Sequence, residues 1–440
     1  MTTYHAELAW VDGRPQPEVL IEIEAGRVTA VTPGVPAPAR AVRLPGLTLP
    51  GFANAHSHAF HRALRGRTHE GLGTFWTWRD RMYEVAARLD PDTYLALATA
   101  VYAEMALAGV TCVGEFHYLH HGPDGTPYAD PNAMGEALVE AAAQAGVRLT
   151  LLDTCYLAAG VDGAPLAGAQ RRFGDGDAAG WVARVDRLAP DRDRWRVGAA
   201  VHSVRAVPAD QIPTVVAWAS ERRAPLHLHL SEQRAENEAC LAVHRRTPTE
   251  LLADLGVLGP RTTAVHATHV SDPDRTLLGN SGTGVCLCPT TERDLGDGIG
   301  PARALADAGA PLCLGTDSHA VVDMFEEARG VELHTRLREE RRGHFRAAEL
   351  LEAATSAGHR ALGWDDAGVI AAGYRADLVT VATDSVRTAG TDPAAVVFTA
   401  TAADVRQVVV GGTVVVRDGR HVRVDVPAAL RAAIEAVTPR

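Results

Sequence analysis

Between about residues 80 and 360 the sequence alternates, repeatedly, between short apolar runs rich in β-branched residues and longer amphipathic stretches rich in alanine and arginine. Helix-like Asp92–Ala108 leads into strand-like Val110–Glu115, and Ala133–Ala145 leads into Val147–Asp153. Strand-like runs recur at Arg196–Ser203, Leu226–Ser231, Thr263–Thr268, Val285–Pro289 and Pro311–Asp317, with helical stretches at Pro208–Ala219, Thr247–Leu255 and Ala302–Ala308. Strand and helix in such alternation build a parallel sheet with helices packed outside it, and over this length the sheet is expected to close as a (β/α)8 TIM-like barrel.

The two chain ends break the pattern. Residues 6 to 48 read as short strands and turns: Ala6–Trp10, Val19–Glu24, Gly26–Val31 and Leu44–Leu49. After Ala367 the β pattern returns at Gly368–Ile370, Ala376–Val381, Val405–Val410, Thr413–Arg417 and Val422–Val426, before a closing helix at Leu430–Val437. Neither end alone is large enough to bury a sheet face, so the two are expected to pair. The reading is an α/β chain with a β-sandwich domain formed by residues 1–49 and 367–440, flanking a barrel of residues 50–366.

A formal net charge of -11 disfavours nucleic acid or an anionic membrane surface as partner and favours a small-molecule enzyme. No apolar run reaches the ~20 residues needed to span a bilayer, and no charged region followed by an apolar core opens the chain, so a cytoplasmic protein is expected. All 43 side-chain cations are arginine. Without lysine, a carboxylated lysine bridging two metals is impossible. The six cysteines are scattered through apolar segments without a CxxC pair, as expected of reduced packing residues.

The chemistry gathers at the ends of the strand-like runs, where barrel enzymes place it. The run ending Leu49-Pro50-Gly51-Phe52-Ala53-Asn54-Ala55-His56-Ser57-His58 carries two histidines one residue apart, which leave one face of an extended strand. In Pro225–Gln233, His227 and His229 share a face, and Glu232 lies past the strand end, where it can lean over a metal and shuttle protons. His266 and Asp317 stand at two further strand ends. Each has an ordinary reading alone: hydrogen-bonded loop histidines, a polar strand rim, a helix-capping aspartate. Four such ends in one βα repeat point to a metal site, with neutral imidazoles as ligands.

The ordered series HxH, HxxE, His266 and Asp317 resembles the metal-dependent amidohydrolase superfamily over the whole chain. Pro50-Gly51-Phe52, Gly373–Val379 and Val410–Val415 look like its β-domain borders, and the HxxE element is similar to its mononuclear deaminase branch. That resemblance implies one Zn2+ per subunit, held by His56, His58, His229 and Asp317, with Glu232 as proton shuttle and His266 orienting the attacking hydroxide. Fe2+ or Mn2+ would suit the same donors. Related barrels suggest a homodimer.

Three more segments, Phe75–Tyr83, Gly114–His120 and Val201–Arg205, together with His58-Ala59-Phe60, resemble the formiminoglutamate deiminases of histidine degradation. The resemblance implies hydrolysis of N-formimino-L-glutamate to N-formyl-L-glutamate and ammonia. Arg79 and Arg205 would pair with the two carboxylates, and Tyr118 and His202 would line the formimino end. A dianionic substrate suits planar, permanently charged guanidinium forks. His61 joins the substrate contacts at a position usually glutamine in that family. Trp76 and Trp78 read as packing for the loop that carries Arg79, and His319 as support for the metal ligands, while His117, His120, His121 and His269 have no assigned role. The alternative enzyme is a related zinc deaminase acting on a purine, pterin or other cyclic amidine. A third reading, an inactive scaffold, should have lost ligands that are all present here.

Overall fold

The computed structural model describes residues 2–69 and 73–438. Sixteen strands among them form two sheets of eight. The first sheet takes β1 (Thr2–Val11), β2 (Arg14–Glu24), β3 (Arg27–Thr32) and β4 (Val42–Pro50) from the start of the chain. The second takes the next eight in unbroken order: β5 (Phe52–Ser57), β6 (Val110–His117), β7 (Arg148–Cys155), β8 (Trp195–Val201), β9 (Leu226–Leu230), β10 (Thr262–His266), β11 (Gly284–Leu287) and β12 (Leu312–Leu314). The chain then returns to the first sheet with β13 (Leu378–Val381), β14 (Val405–Val410), β15 (Thr413–Arg417) and β16 (Arg420–His421).

The β domain expected from both chain ends is one hydrogen-bonded sheet, ordered β16-β15-β14-β13-β4-β1-β2-β3. Its halves meet where β13 runs antiparallel to β4, from Leu378 opposite Pro50 to Val381 opposite Leu47. Tyr4, Ile21, Leu44, Leu378 and Val409 are among the buried apolar residues that both ends contribute to it. Two stretches depart from the strand reading. Gly368–Ile370 is a loop, with Gly368 at φ +77° and packed so closely on Ser356 that a Cβ would collide. At Val422–Val426, His421 Nδ1 accepts from the Arg423 and Val424 amides, which turns the chain into the helix Val426–Val437 capped by Asp425.

The eight central strands are parallel neighbours, with helices such as Pro91–Leu107 and Ala133–Ala145 between them. Almost every residue of β5, β6, β7, β9 and β10 is buried, as in a barrel whose interior is filled by side chains. Among the described residues no helix is long and apolar enough to cross a membrane.

The barrel closes where β12 meets β5, and the closure is made largely at the strand ends. The Asp317 amide donates to His56 O (3.0 Å) and the His58 amide to Asp317 O (3.2 Å). Just below, two residues before His56 and one before Asp317, the buried Asn54 amide replaces a main-chain partner: the Thr316 amide donates to Asn54 Oδ1 (2.9 Å), and Asn54 Nδ2 donates to Thr316 Oγ1 (2.7 Å). Gly315 permits this approach, since a Cβ there would lie 2.8 Å from His56 O. Asn54→Leu should therefore cost about 1–3 kcal/mol in urea denaturation, because it leaves a buried N–H without an acceptor.

Candidate active site

Four donors converge at the C-terminal mouth of the barrel. His229 Nε2 lies 3.2 Å from His56 Nε2 and 3.4 Å from His58 Nε2, while Asp317 Oδ1 lies 3.3 Å from His56 Nε2 and 3.4 Å from His58 Nε2. A tetrahedron with metal–nitrogen distances of about 2.0–2.1 Å has edges of about 3.3–3.4 Å. The cluster therefore matches such an ion in size and in donor type.

The outer atoms of these rings also fit a metal. His58 Nδ1 donates to Phe116 O (3.0 Å) and His229 Nδ1 donates to His202 O (2.9 Å), so their Nε2 atoms carry lone pairs. Lone pairs facing at this distance repel, and a shared cation removes the repulsion. Burial pushes the His58 imidazole down to about 3 and holds His56 and His229 well below the ordinary histidine range, which keeps all three neutral. His227, two residues before His229, points into the lower barrel, where its Nε2 donates to Ala361 O (2.9 Å).

Next to the cluster, His266 Nε2 lies 3.8 Å from both Asp317 Oδ2 and Glu232 Oε1. Its Nδ1 faces Glu292 Oε1 at 3.4 Å, and that oxygen also accepts the Cys288 amide (2.9 Å). Burial alone would lower His266, but Glu232, Glu292 and Asp317 push it up to about 10, so this corner draws positive charge. Burial raises Glu232, aided by Asp317 and Glu236 and opposed by His266 and Arg205. The backbone here is strained: Ser231, His266, Ala267, Asp317 and His319 have φ of +49°, +70°, +51°, +42° and +59°. Left-handed backbone at non-glycine residues costs of order 1–3 kcal/mol each and collects at functional sites.

One pocket opens onto this corner, and all five residues assigned to the substrate line it: His61, Arg79, Tyr118, His202 and Arg205. His58, His229, Glu232 and Asp317 form its floor with them. His61 Nε2 hydrogen bonds Tyr118 Oη (2.9 Å), and His202 Nδ1 contacts Ser203 Oγ (3.2 Å). Arg79 sits on the helix Phe75–Ala86, not on a loop; the Thr77 hydroxyl, which accepts the Thr74 amide (2.9 Å) and donates to Thr74 O (2.8 Å), ties down its first turn. Its guanidinium lies 4.5 Å from the Trp76 ring centre, its Nε has no hydrogen-bond partner, and no carboxylate pairs with it among the described residues. Arg205 is engaged: Nε donates to Glu236 Oε2 (2.8 Å) and Nη2 lies 3.5 Å from Glu232 Oε2. Trp78 packs its ring 4.9 Å from that of His61.

His319, read as support for the site, lies beneath it between Thr316 Oγ1 (2.9 Å) and Ser57 Oγ (3.2 Å). His117 and His120 belong to a buried network with Asp153 and Arg184, and His121 pairs with Asp175. None of these, nor His269, lines the pocket. Glu292, Glu236 and Tyr156 escaped the sequence reading. A larger cleft at the opposite end of the strands, lined by Arg196, Arg222, Arg223 and Arg261, contains no histidine.

Residues 47–415 match the Amidohydrolase family. A formimidoylglutamate deiminase of Pseudomonas aeruginosa is 39% identical over 398 residues, 87% of each chain. Among solved structures, an amidohydrolase from Brucella melitensis superposes with a TM-score of 0.90 at 32% identity, covering 99% of this chain and 100% of that one. An adenosine deaminase from Xanthomonas campestris with bound zinc gives a TM-score of 0.83 at 25% identity, covering 99% and 97%. The family match runs from within β4 to within β15, so it takes in the whole barrel and its strand-end cluster: the chain belongs to the amidohydrolase family, as a deaminase-type hydrolase of C–N bonds.

Proposed function

We propose that the protein hydrolyses N-formimino-L-glutamate to N-formyl-L-glutamate and ammonia, with one zinc ion held by His56, His58, His229 and Asp317. The observation that carries this reading is one pocket lined both by His58, His229 and Asp317 of the donor cluster and by two guanidinium groups, one of them, Arg79, without a carboxylate partner among the described residues. The 39% identity to a formimidoylglutamate deiminase supports it.

A zinc ion at these donors would lower the pKa of a water it binds to about 7 and polarise the substrate. The chain's own groups do the rest. Asp317 Oδ2 and His266 Nε2 lie 3.8 Å apart beside the donor cluster, a separation at which both can hold the attacking oxygen against the formimino carbon. Glu232, held beside them, takes the proton from water and returns it to the departing nitrogen. Arg79 and Arg205 bind the carboxylates and so aim the amidine at the floor, with His61, Tyr118 and His202 around it.

A second reading follows from the walls. Phe75, Trp78, Tyr118, Tyr156 and Phe173 would also suit a flat purine or pterin. Ammonia release from N-formimino-L-glutamate, measured beside guanine and adenosine on zinc-loaded protein, separates the two; turnover confined to a purine would replace the first reading with the second. In the first reading, Arg79→Ala should raise KM by roughly 10- to 100-fold with a smaller change in kcat, since it removes a charge-assisted contact to a remote carboxylate.

A further inference from the structure

Glu236 lies outside the pocket lining, yet it is fully buried and both of its oxygens are used. Oε2 accepts from Arg205 Nε (2.8 Å), and Oε1 accepts from the Ser231 amide (2.9 Å). It stands in the first turn of the helix Arg234–His244, where the exposed N–H groups favour a carboxylate. Ser231 is the left-handed residue, at φ +49°, that turns the chain out of β9 and delivers Glu232 to the site.

We infer that Glu236 is a positioning residue that ties the substrate-binding arginine to the turn carrying the proton shuttle. The inference rests on the proposed reading, in which Arg205 binds a substrate carboxylate. A buried guanidinium needs an acceptor. Deprived of Glu236, Arg205 would settle on the next carboxylate, Glu232, whose Oε2 is already 3.5 Å from Nη2. That pairing would withdraw Arg205 from the substrate and occupy the shuttle. Glu236 fixes the Nε edge by a shorter bond and leaves the Nη edge for the pocket. Its other oxygen satisfies the Ser231 amide, which stabilises the strained turn. Recognition at one end of the substrate and proton transfer at the other thus depend on one side chain that touches neither.

The two arms can be separated. In Glu236→Gln the amide oxygen can still accept from Ser231, while its NH2 meets the Arg205 Nε–H, donor against donor. We expect this variant to keep its zinc and lose roughly 10- to 100-fold in kcat/KM for N-formimino-L-glutamate. Made in an Arg205→Ala background, the same change should cost less than about 2-fold, because the damage travels through Arg205. Glu236→Ala removes the Ser231 arm as well, so it should lower kcat further in both backgrounds. An equal factor for Glu236→Gln in both backgrounds, from zinc-replete protein, overturns the inference and leaves the proposed function standing. No turnover of N-formimino-L-glutamate by the unaltered protein overturns the proposed function, and the inference with it.

Discussion

Glu232→Gln is expected to lower kcat by about 10²- to 10⁴-fold, the range that positioned proton transfer contributes, while metal content stays at the unaltered level. Glutamine preserves the shape of the side chain and its contact with Arg205 but cannot carry a proton between water and the leaving nitrogen. Glu232 is not one of the four converging donors; its Oε1 lies 3.8 Å from His266 Nε2, on the pocket side of them. Burial raises its pKa, which brings it nearer to the neutral range where one group can both accept and return a proton. Steady-state kinetics and metal analysis on the same preparation check both halves. Full turnover by Glu232→Gln would assign the proton transfer to another group.

Asp317→Ala should do more damage, because Asp317 holds two posts. Oδ1 belongs to the donor cluster and Oδ2 lies 3.8 Å from His266 Nε2. Loss of both should weaken zinc binding by more than the roughly 10- to 100-fold that outer-shell changes cost, and should abolish measurable deamination. Alanine is also strained at φ +42°. Asp317→Asn, which tolerates left-handed backbone, separates the charge from the strain. Competition with a chelator, followed by activity at saturating zinc, measures the two losses. If Asp317→Asn binds zinc as tightly as the unaltered protein, Asp317 is not a ligand.

Much of this arrangement is legible in the sequence because the site residues lie where a simple rule places them. His56, His58, His229, Glu232, His266 and Asp317 stand at or just beyond strand C-termini, and a parallel barrel gathers those ends into one mouth. The helix Ala133–Ala145 is legible to the residue, since its apolar face and the following Gly146 are local signals. Non-local contacts were harder. Glu236 and Glu292 look like ordinary helix carboxylates until folding sets them against Arg205 and His266. Arg79 reads as a loop residue in sequence, yet it stands on a helix whose buried Phe75, Trp78, Met82 and Val85 recur at helical spacing, a signal present in the sequence but overlooked beside the Trp76 and Trp78 pair. Val422–Val426 alternates like a strand, but the His421 ring intercepts the amides that would have continued it.

The seam of the barrel makes the metal site a record of completed synthesis. Two donors, His56 and His58, leave the ribosome early; His229 follows; Asp317 comes last, and its own main chain bonds back to the first pair. A nascent chain therefore holds an incomplete ligand set until the eighth strand arrives to dock against the first. Closing so long a loop costs entropy that local contacts cannot return, and a cation gripped from both sides of the seam offsets part of it. The ion that serves the chemistry would then also act as the clasp of the barrel, and its loss would favour opening at the edge where first and last strands meet.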